Sequence, residues 1–300
     1  MTEEESLRKS LNELNRVTGI QFRVEADEAE DIEEIIRGIS LVTEAYREKN
    51  SRTDFVRKLL TGELSEDDCR LGASRFHIPM EGKRIVFLIE AERSDSENVY
   101  HVLKHLFLAG SGGFLLTMDE SVLALVKLFD KRDEEADPES VARVMIDMLN
   151  TEAMARVRVA YGTEAAALIE TAEAYKEARL SLRIGDIFYN NENIFSYAKL
   201  GIGRLIYQLP EDACRLFLRE VFKGDIPEID DETRRLIDTF YENNLSVSET
   251  ARQLFLHRNT LIYRLEKLKQ TIGLDIRVFK DAMTCKIAFM VATYLNSMKK

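Results

Sequence analysis

The sequence predicts an α+β protein in three parts. These are a helical N-terminal segment over residues 1–80, a ferredoxin-like α+β middle domain over 81–205, and an all-α helix-turn-helix domain over 231–300, reached through a helical linker at 206–230. Three observations carry this expectation. Apolar residues recur three and four apart through the first 80 positions, the spacing of helix faces. From Lys83 onward short β-rich runs alternate with helical stretches in the order β-α-β-β-α-β, the ferredoxin-like arrangement with helices on one face of an antiparallel sheet. From Ser246 to Ile272 two short amphipathic patterns are joined by a tight turn, and the second carries cations and amides at its start.

In the N-terminal segment Leu7, Leu11 and Leu14 form an apolar stripe ending before Gly19. A second stripe, Ile32, Ile35, Ile36, Ile39, Val42 and Tyr46, keeps helical spacing for about two heptads, suited either to a dimer seam or to packing within one domain. A third helix from Arg52 to Thr61 offers Phe55, Val56, Leu59 and Leu60 and stops at Gly62, a residue that tolerates a left-handed cap. Ser65-Glu66-Asp67-Asp68 opens a short helix toward His77.

In the middle domain Arg84–Glu90 is a β-rich run after Gly82, followed by a helix from about Asn98 to Leu108. Gly113–Thr117 and Val122–Val126 flank the polar joint Met118-Asp119-Glu120-Ser121, a hairpin. Asp137-Pro138 starts a helix to about Asn150, with proline suited to the first turn. Val157–Gly162 is a further strand, and Ala165–Leu182 a helix.

The helix-turn-helix begins at Ser246, whose spacing to Glu249 is that of a capping box. Val247, Ala251 and Leu254 give the first helix its apolar face, and the small Ala251 suits a close helix crossing. The second helix, about Arg258 to Gln270, buries Leu261, Leu265 and Leu268. Arg258, Asn259, Tyr263, Arg264, Lys267 and Lys269 fall largely off that stripe, leaving a charged face for a ligand. Arg, Asn and Thr at a helix start suit guanine edges, adenine edges and phosphate oxygens. Charge follows the same partition. Residues 228–300 hold 12 Lys+Arg against 10 Asp+Glu, net +2, whereas residues 1–227 hold 30 against 43, net −13. A net charge of −11 argues against adhesion of the whole molecule to nucleic acid, so binding is expected to be local.

No stretch approaches the ~20 apolar residues of a membrane helix. The acidic start Met-Thr-Glu-Glu-Glu-Ser lacks the order of a signal peptide, and Cys69, Cys214 and Cys285 are single and far apart. They are expected to be packing residues in a cytoplasmic protein. His101 and His105 have i,i+4 spacing but no third ligand, and His77 has no partner in view. Ser111-Gly112-Gly113 reads as a strand-entry loop. Gly201-Ile202-Gly203 lacks the strand and third glycine of a dinucleotide site. No activated nucleophile is visible, so no catalytic residue, cofactor or metal is expected.

The run Leu256-His257-Arg258-Asn259-Thr260-Leu261-Ile262-Tyr263-Arg264-Leu265 resembles the signature of the C-terminal DNA-binding domain in PucR/CdaR-type transcriptional regulators, itself similar to the Fis-type helix-turn-helix. The resemblance extends from Phe217-Leu218-Arg219-Glu220 through Leu236-Ile237-Asp238-Thr239-Phe240 to a last helix ending near Leu295. It departs at Asp275–Asp281, where the family's polar spacing ahead of that helix is altered. Residues 83–200 resemble, in element order, the degenerate GGDEF-like domain that precedes the DNA-binding domain in this family. A working cyclase carries Gly-Gly-Asp/Glu-Glu-Phe on the hairpin that here is Met118-Asp119-Glu120-Ser121. Gly112-Gly113 lies at the other end of its strand.

The resemblance implies a sequence-specific DNA-binding transcriptional regulator, not an enzyme, that controls a catabolic or transport operon. It would act as a homodimer on double-stranded DNA, with an effector that the sequence does not name. Arg258 and Asn259 would face bases, His257 and Thr260 phosphate, Tyr263 and Arg264 positions further along the groove or backbone, and Lys267 a flanking phosphate. The competing expectation is a non-catalytic nucleotide-binding signalling protein whose C-terminal helices bind a protein partner.

Overall fold

A computed structural model describes residues 3–23, 32–108, 113–129, 137–224 and 227–298. The chain divides into two compact units, residues 1–182 with 193–197, and residues 183–192 with 198–300.

The first unit opens with α1 (Glu3–Thr18), α2 (Ile32–Thr61) and α3 (Glu66–Arg75). The stripe at 32–46 and the helix expected from Arg52 are one helix of 30 residues. The polar stretch Arg47-Glu48-Lys49-Asn50-Ser51 between them holds neither Gly nor Pro, so it interrupts the apolar pattern without breaking the backbone. α2 ends at Gly62, whose φ of 75° is the left-handed turn expected there. Ser65 caps α3 by accepting from the Asp68 N–H.

Next come β1 (Glu81–Ala91), α4 (Ser96–Phe107), β2 (Phe114–Thr117), β3 (Val122–Leu128), α5 (Pro138–Glu152) and β4 (Val157–Tyr161), the six elements in the expected order. β5 (Ala165–Ala167), α6 (Thr171–Phe188) and β6 (Ile194–Ser196) follow. The sheet runs β2-β3-β1-β4-β6, with β5 also paired to β1; β6 is parallel to β4 and the other pairings are antiparallel. Phe87 stands opposite Leu125 on one side and Tyr161 on the other. The half-buried Glu90 and Arg158, opposite each other on β1 and β4, form an ion pair.

Helices cover both faces of this sheet, not the single face expected. On one, Ile85, Phe87, Ile89, Leu123 and Leu125 meet Val99 and Leu103 of α4 and Ala142, Met145 and Leu149 of α5. On the other, Val86, Leu88, Leu116 and Val126 meet Phe55, Leu59 and Leu60 of α2, Cys69 of α3 and Ala174 and Ala178 of α6. β1 is buried from Arg84 to Ile89 because each of its two faces has its own helical layer. The helix expected from Ala165 starts six residues later. Ala165 pairs with Arg84, and the Glu170 carboxylate takes the N–H groups of Ala166 and Ala167 at 2.8 and 3.0 Å.

The second unit holds the end of α6 with α7 (Ile202–Tyr207), α8 (Glu211–Phe222), α9 (Asp231–Glu242), α10 (Val247–Gln253), α11 (Arg258–Ile272) and α12 (Phe279–Ser297). Residues 206–230, read above as a linker, supply Ile206, Cys214 and Leu218 to a core shared with Ala288, Val291 and Leu295 of α12. Gly203 lies in this packing too: a Cβ there would sit 3.1–3.3 Å from Phe188, Ile184 and Tyr189. Leu125 is fully buried, so Leu125→Ala should destabilise the first unit by roughly 2–5 kcal/mol. A lowered urea midpoint in far-UV circular dichroism would register that loss.

Candidate nucleic-acid interface

Three helices build the site. Asp230 caps α9 by accepting from the Thr233 N–H at 2.7 Å, which holds its carboxyl below the usual range. α9 then buries Leu236, Ile237 and Phe240. Its far end closes through Leu245 N–H to the Phe240 carbonyl at 2.9 Å and Asn244 N–H to that of Tyr241 at 3.0 Å. Asn243 adds a side-chain bond of 2.6 Å to Gln253 on α10.

Ser246 caps α10 through the Glu249 N–H at 3.4 Å. The reciprocal half of the expected capping box is not made: Glu249 pairs with Arg252, and the Ser246 N–H goes to the Asn243 carbonyl at 2.9 Å. The cap is one-sided because the preceding turn already satisfies that donor. Ala251 is buried, with Val247 and Leu254 packed beside it. α10 ends in a Schellman closure, Phe255 N–H to Arg252 O at 3.2 Å and Leu256 N–H to Ala251 O at 2.8 Å. Phe255 occupies the left-handed position usually given to glycine, at φ 54°, and is 96% exposed.

α11 points its stripe inward. Leu261, Leu265, Leu268 and Ile272 join Leu236, Phe240, Ala251, Ile276, Ala282 and Cys285 in one core. His257 is its N-cap, with Nδ1 accepting from the Asn259 N–H at 3.3 Å. The Thr260 N–H is also engaged, by the His257 carbonyl at 2.9 Å. The anion attraction expected at this helix start therefore falls to the dipole and to side chains, not to open N–H groups of these two residues.

The stripe turns His257, Arg258, Asn259, Thr260, Tyr263 and Lys267 to solvent, Tyr263 at 70% exposure. Among the described residues Arg258 and Lys267 form no ion pair. Arg264 differs from the rest of the expected set. It is half-buried and paired with Glu232 of α9, so it ties α11 to its neighbour. Glu232 lies 32 residues away in sequence, and no local pattern announces that pair.

At the other end of α11, Gly273 takes the left-handed cap at φ 77°. The Arg277 guanidinium bonds Asp275 and Glu266 at 2.7 Å each, and Lys269 pairs with Asp275 at 3.4 Å. Arg277 holds the Asp275 carboxyl far below its usual range. Asp281 accepts from the Asp275 N–H at 3.0 Å, so the segment that departs from the family pattern is a closed clasp leading into α12. Lys269 is thereby engaged as well.

Elsewhere, the Asp119 carboxylate accepts the N–H groups of Ser121 and Val122 at 2.9 Å each, folding the β2–β3 hairpin, and Glu120 pairs with Arg93 at 2.7 Å. His101 and His105 are exposed on α4. Ser111 and Gly112 lie outside the described residues. The three cysteines are buried in three separate cores, and burial pushes each thiol up, that of Cys285 to about 11. Among the described residues no helix is long and apolar enough to cross a membrane.

The one-sided cap separates two substitutions. Ser246→Ala should cost about 1 kcal/mol, Glu249→Ala markedly less, in urea titrations of the full chain. Asp275 gives a pH signature. A lowered native pKa stabilises the fold above the ordinary carboxylate range, and the contribution fades as pH falls through the lowered value. Asp275→Asn should therefore lower the melting temperature at pH 7, with the gap to the parent protein narrowing in acid.

Residues 233–291 match the PucR C-terminal helix-turn-helix domain and residues 61–184 the GGDEF-like domain. The chain is 23% identical over 239 residues to the proline-responsive transcriptional activator PutR of Bacillus subtilis strain 168, covering 76% of this chain and 58% of that protein. It is 22% identical over 277 residues to the purine catabolism regulatory protein of the same organism, covering 83% and 50%. To the carbohydrate diacid regulator of Escherichia coli K12 it is 22% identical over 255 residues, covering 80% and 65%. The chain thus spans between half and two thirds of the length of these relatives. The two matched domains stand in the order expected from the sequence, GGDEF-like first and PucR C-terminal helix-turn-helix second, and the chain is similar to regulators of this type.

Proposed function

We propose that this protein is a sequence-specific DNA-binding transcriptional regulator that inserts the start of α11 into the major groove. The observation that carries the reading is the outward turn His257–Thr260, held in place by a buried leucine stripe and bearing Arg258, which forms no ion pair among the described residues. Arg258 offers a guanidinium to the acceptor pair of guanine, and Asn259 its amide to adenine. His257, with Nδ1 occupied by the cap, presents Nε2 as a donor to phosphate, joined by the Thr260 hydroxyl. Tyr263 and Lys267 lie one and two turns further along the exposed face and meet the backbone there. Arg264 sets the tilt of α11 through Glu232 and takes no part in base readout.

The hairpin of the GGDEF-like domain supports a non-catalytic role. Its Asp119 is engaged in the turn and its Glu120 by Arg93, leaving no carboxylate pair directed to a metal. The names of the relatives, which concern proline, purine catabolism and carbohydrate diacids, support control of an uptake or breakdown operon from the cytoplasm. Two copies acting on two half-sites about one helical turn apart would supply the affinity that a single module lacks.

Fluorescence anisotropy on DNA from upstream of its own and neighbouring genes tests the reading. Arg258→Ala should lose roughly 1–3 kcal/mol of specific binding while circular dichroism stays unchanged. Lys267→Ala should weaken all sequences alike and reduce the salt slope by about one. Operator binding undiminished in Arg258→Ala would overturn the assignment.

A further inference from the structure

α2 carries more apolar surface than the described residues cover. α1 packs against it, and along this pair only Leu14, Ile39 and Thr43 are buried among the described residues, while the last turns of α2 enter the sheet core through Phe55, Val56, Leu59 and Leu60. Val42, part of the stripe expected from sequence, is 49% exposed and Leu41 beside it 62%. The stripe is thus wider than the α1 contact and splits into a covered edge and an open one.

The open edge contains Glu34, Gly38, Leu41, Val42, Ala45 and Lys49, all exposed, with steps of three or four on either side of the adjacent central pair Leu41 and Val42. Its order is self-complementary. An antiparallel copy centred between Leu41 and Val42 sets Leu41 against Val42, Gly38 against Ala45, and Glu34 against Lys49. Large residues then fill the centre, small ones flank it and opposite charges close both ends, the isologous pattern of a two-fold interface. Gly38 fits this crossing. A glycine inside a helix costs about 1 kcal/mol relative to alanine, and a Cβ there would meet nothing within 4 Å in its own chain. Neither Glu34 nor Lys49 forms an ion pair among the described residues.

We infer that the exposed edge of α2 is a homodimer interface, in which two α1–α2 pairs assemble as a four-helix bundle through antiparallel α2 helices. The contact spans about four turns, roughly 24 Å. The inference deepens the regulator reading, since a two-fold bundle presents two copies of α11, but its test needs no DNA.

Sedimentation velocity of the full chain should give a dimer, and Leu41→Glu, a change at an exposed and helix-compatible position, should give a folded monomer by circular dichroism. Glu34→Lys should weaken the dimer several-fold, and Glu34→Lys/Lys49→Glu should restore it. Arg258→Ala should remain dimeric, so failure of DNA recognition and failure of this interface are read separately. A parent protein that sediments as a monomer over the whole concentration range measured would overturn the inference. So would a dimer that persists unchanged in Leu41→Glu, because the copies would then meet elsewhere.

Discussion

The leucine stripe of α11 is the constraint on which the site depends. A helix that buries Leu261, Leu265, Leu268 and Ile272 against Phe240, Ala251 and Cys285 has one permitted rotation about its axis. That rotation aims Arg258 and Asn259 outward. The two turns that flank α10 fix the remaining freedom, and the bond from Asn243 to Gln253 joins α9 to α10. The polar face is therefore positioned by apolar packing.

Electrostatics refine that picture. The second unit is only slightly basic, and several of its cations are neutralised internally. Arg264 is tied to Glu232, Lys269 to Asp275, and Arg277 to Asp275 and Glu266. Among the described residues, the cations of the exposed face of α11 that form no ion pair are Arg258 near its start and Lys267 two and a half turns on. The slightly basic second unit contrasts with the strongly acidic remainder of the chain, so the molecule as a whole has little attraction for polyanions.

Much of this was legible in sequence because local patterns are strong where one element must bury one face. The stripe of α11, the Ser246 cap, the β2–β3 hairpin and the strand order all follow from spacing. Non-local satisfaction was not legible. Whether Glu249 completes a capping box depends on what the Ser246 N–H already meets, and whether Arg264 is free depends on Glu232 from another helix. The continuity of α2 across Arg47–Ser51 was hidden because apolar periodicity lapses where a helix is exposed all round. The second helical layer on the sheet was hidden because α2 and α6 lie on either side of the β-α-β-β-α-β run in sequence.

Guanine methylation interference on an operator fragment tests the central claim most directly, since N7 is the acceptor that a groove-facing arginine occupies. The account predicts one protected guanine per half-site whose methylation blocks the parent protein and no longer matters to Arg258→Ala, the other interfering positions being unchanged. An interference pattern identical in the two proteins would mean that α11 does not read DNA through Arg258.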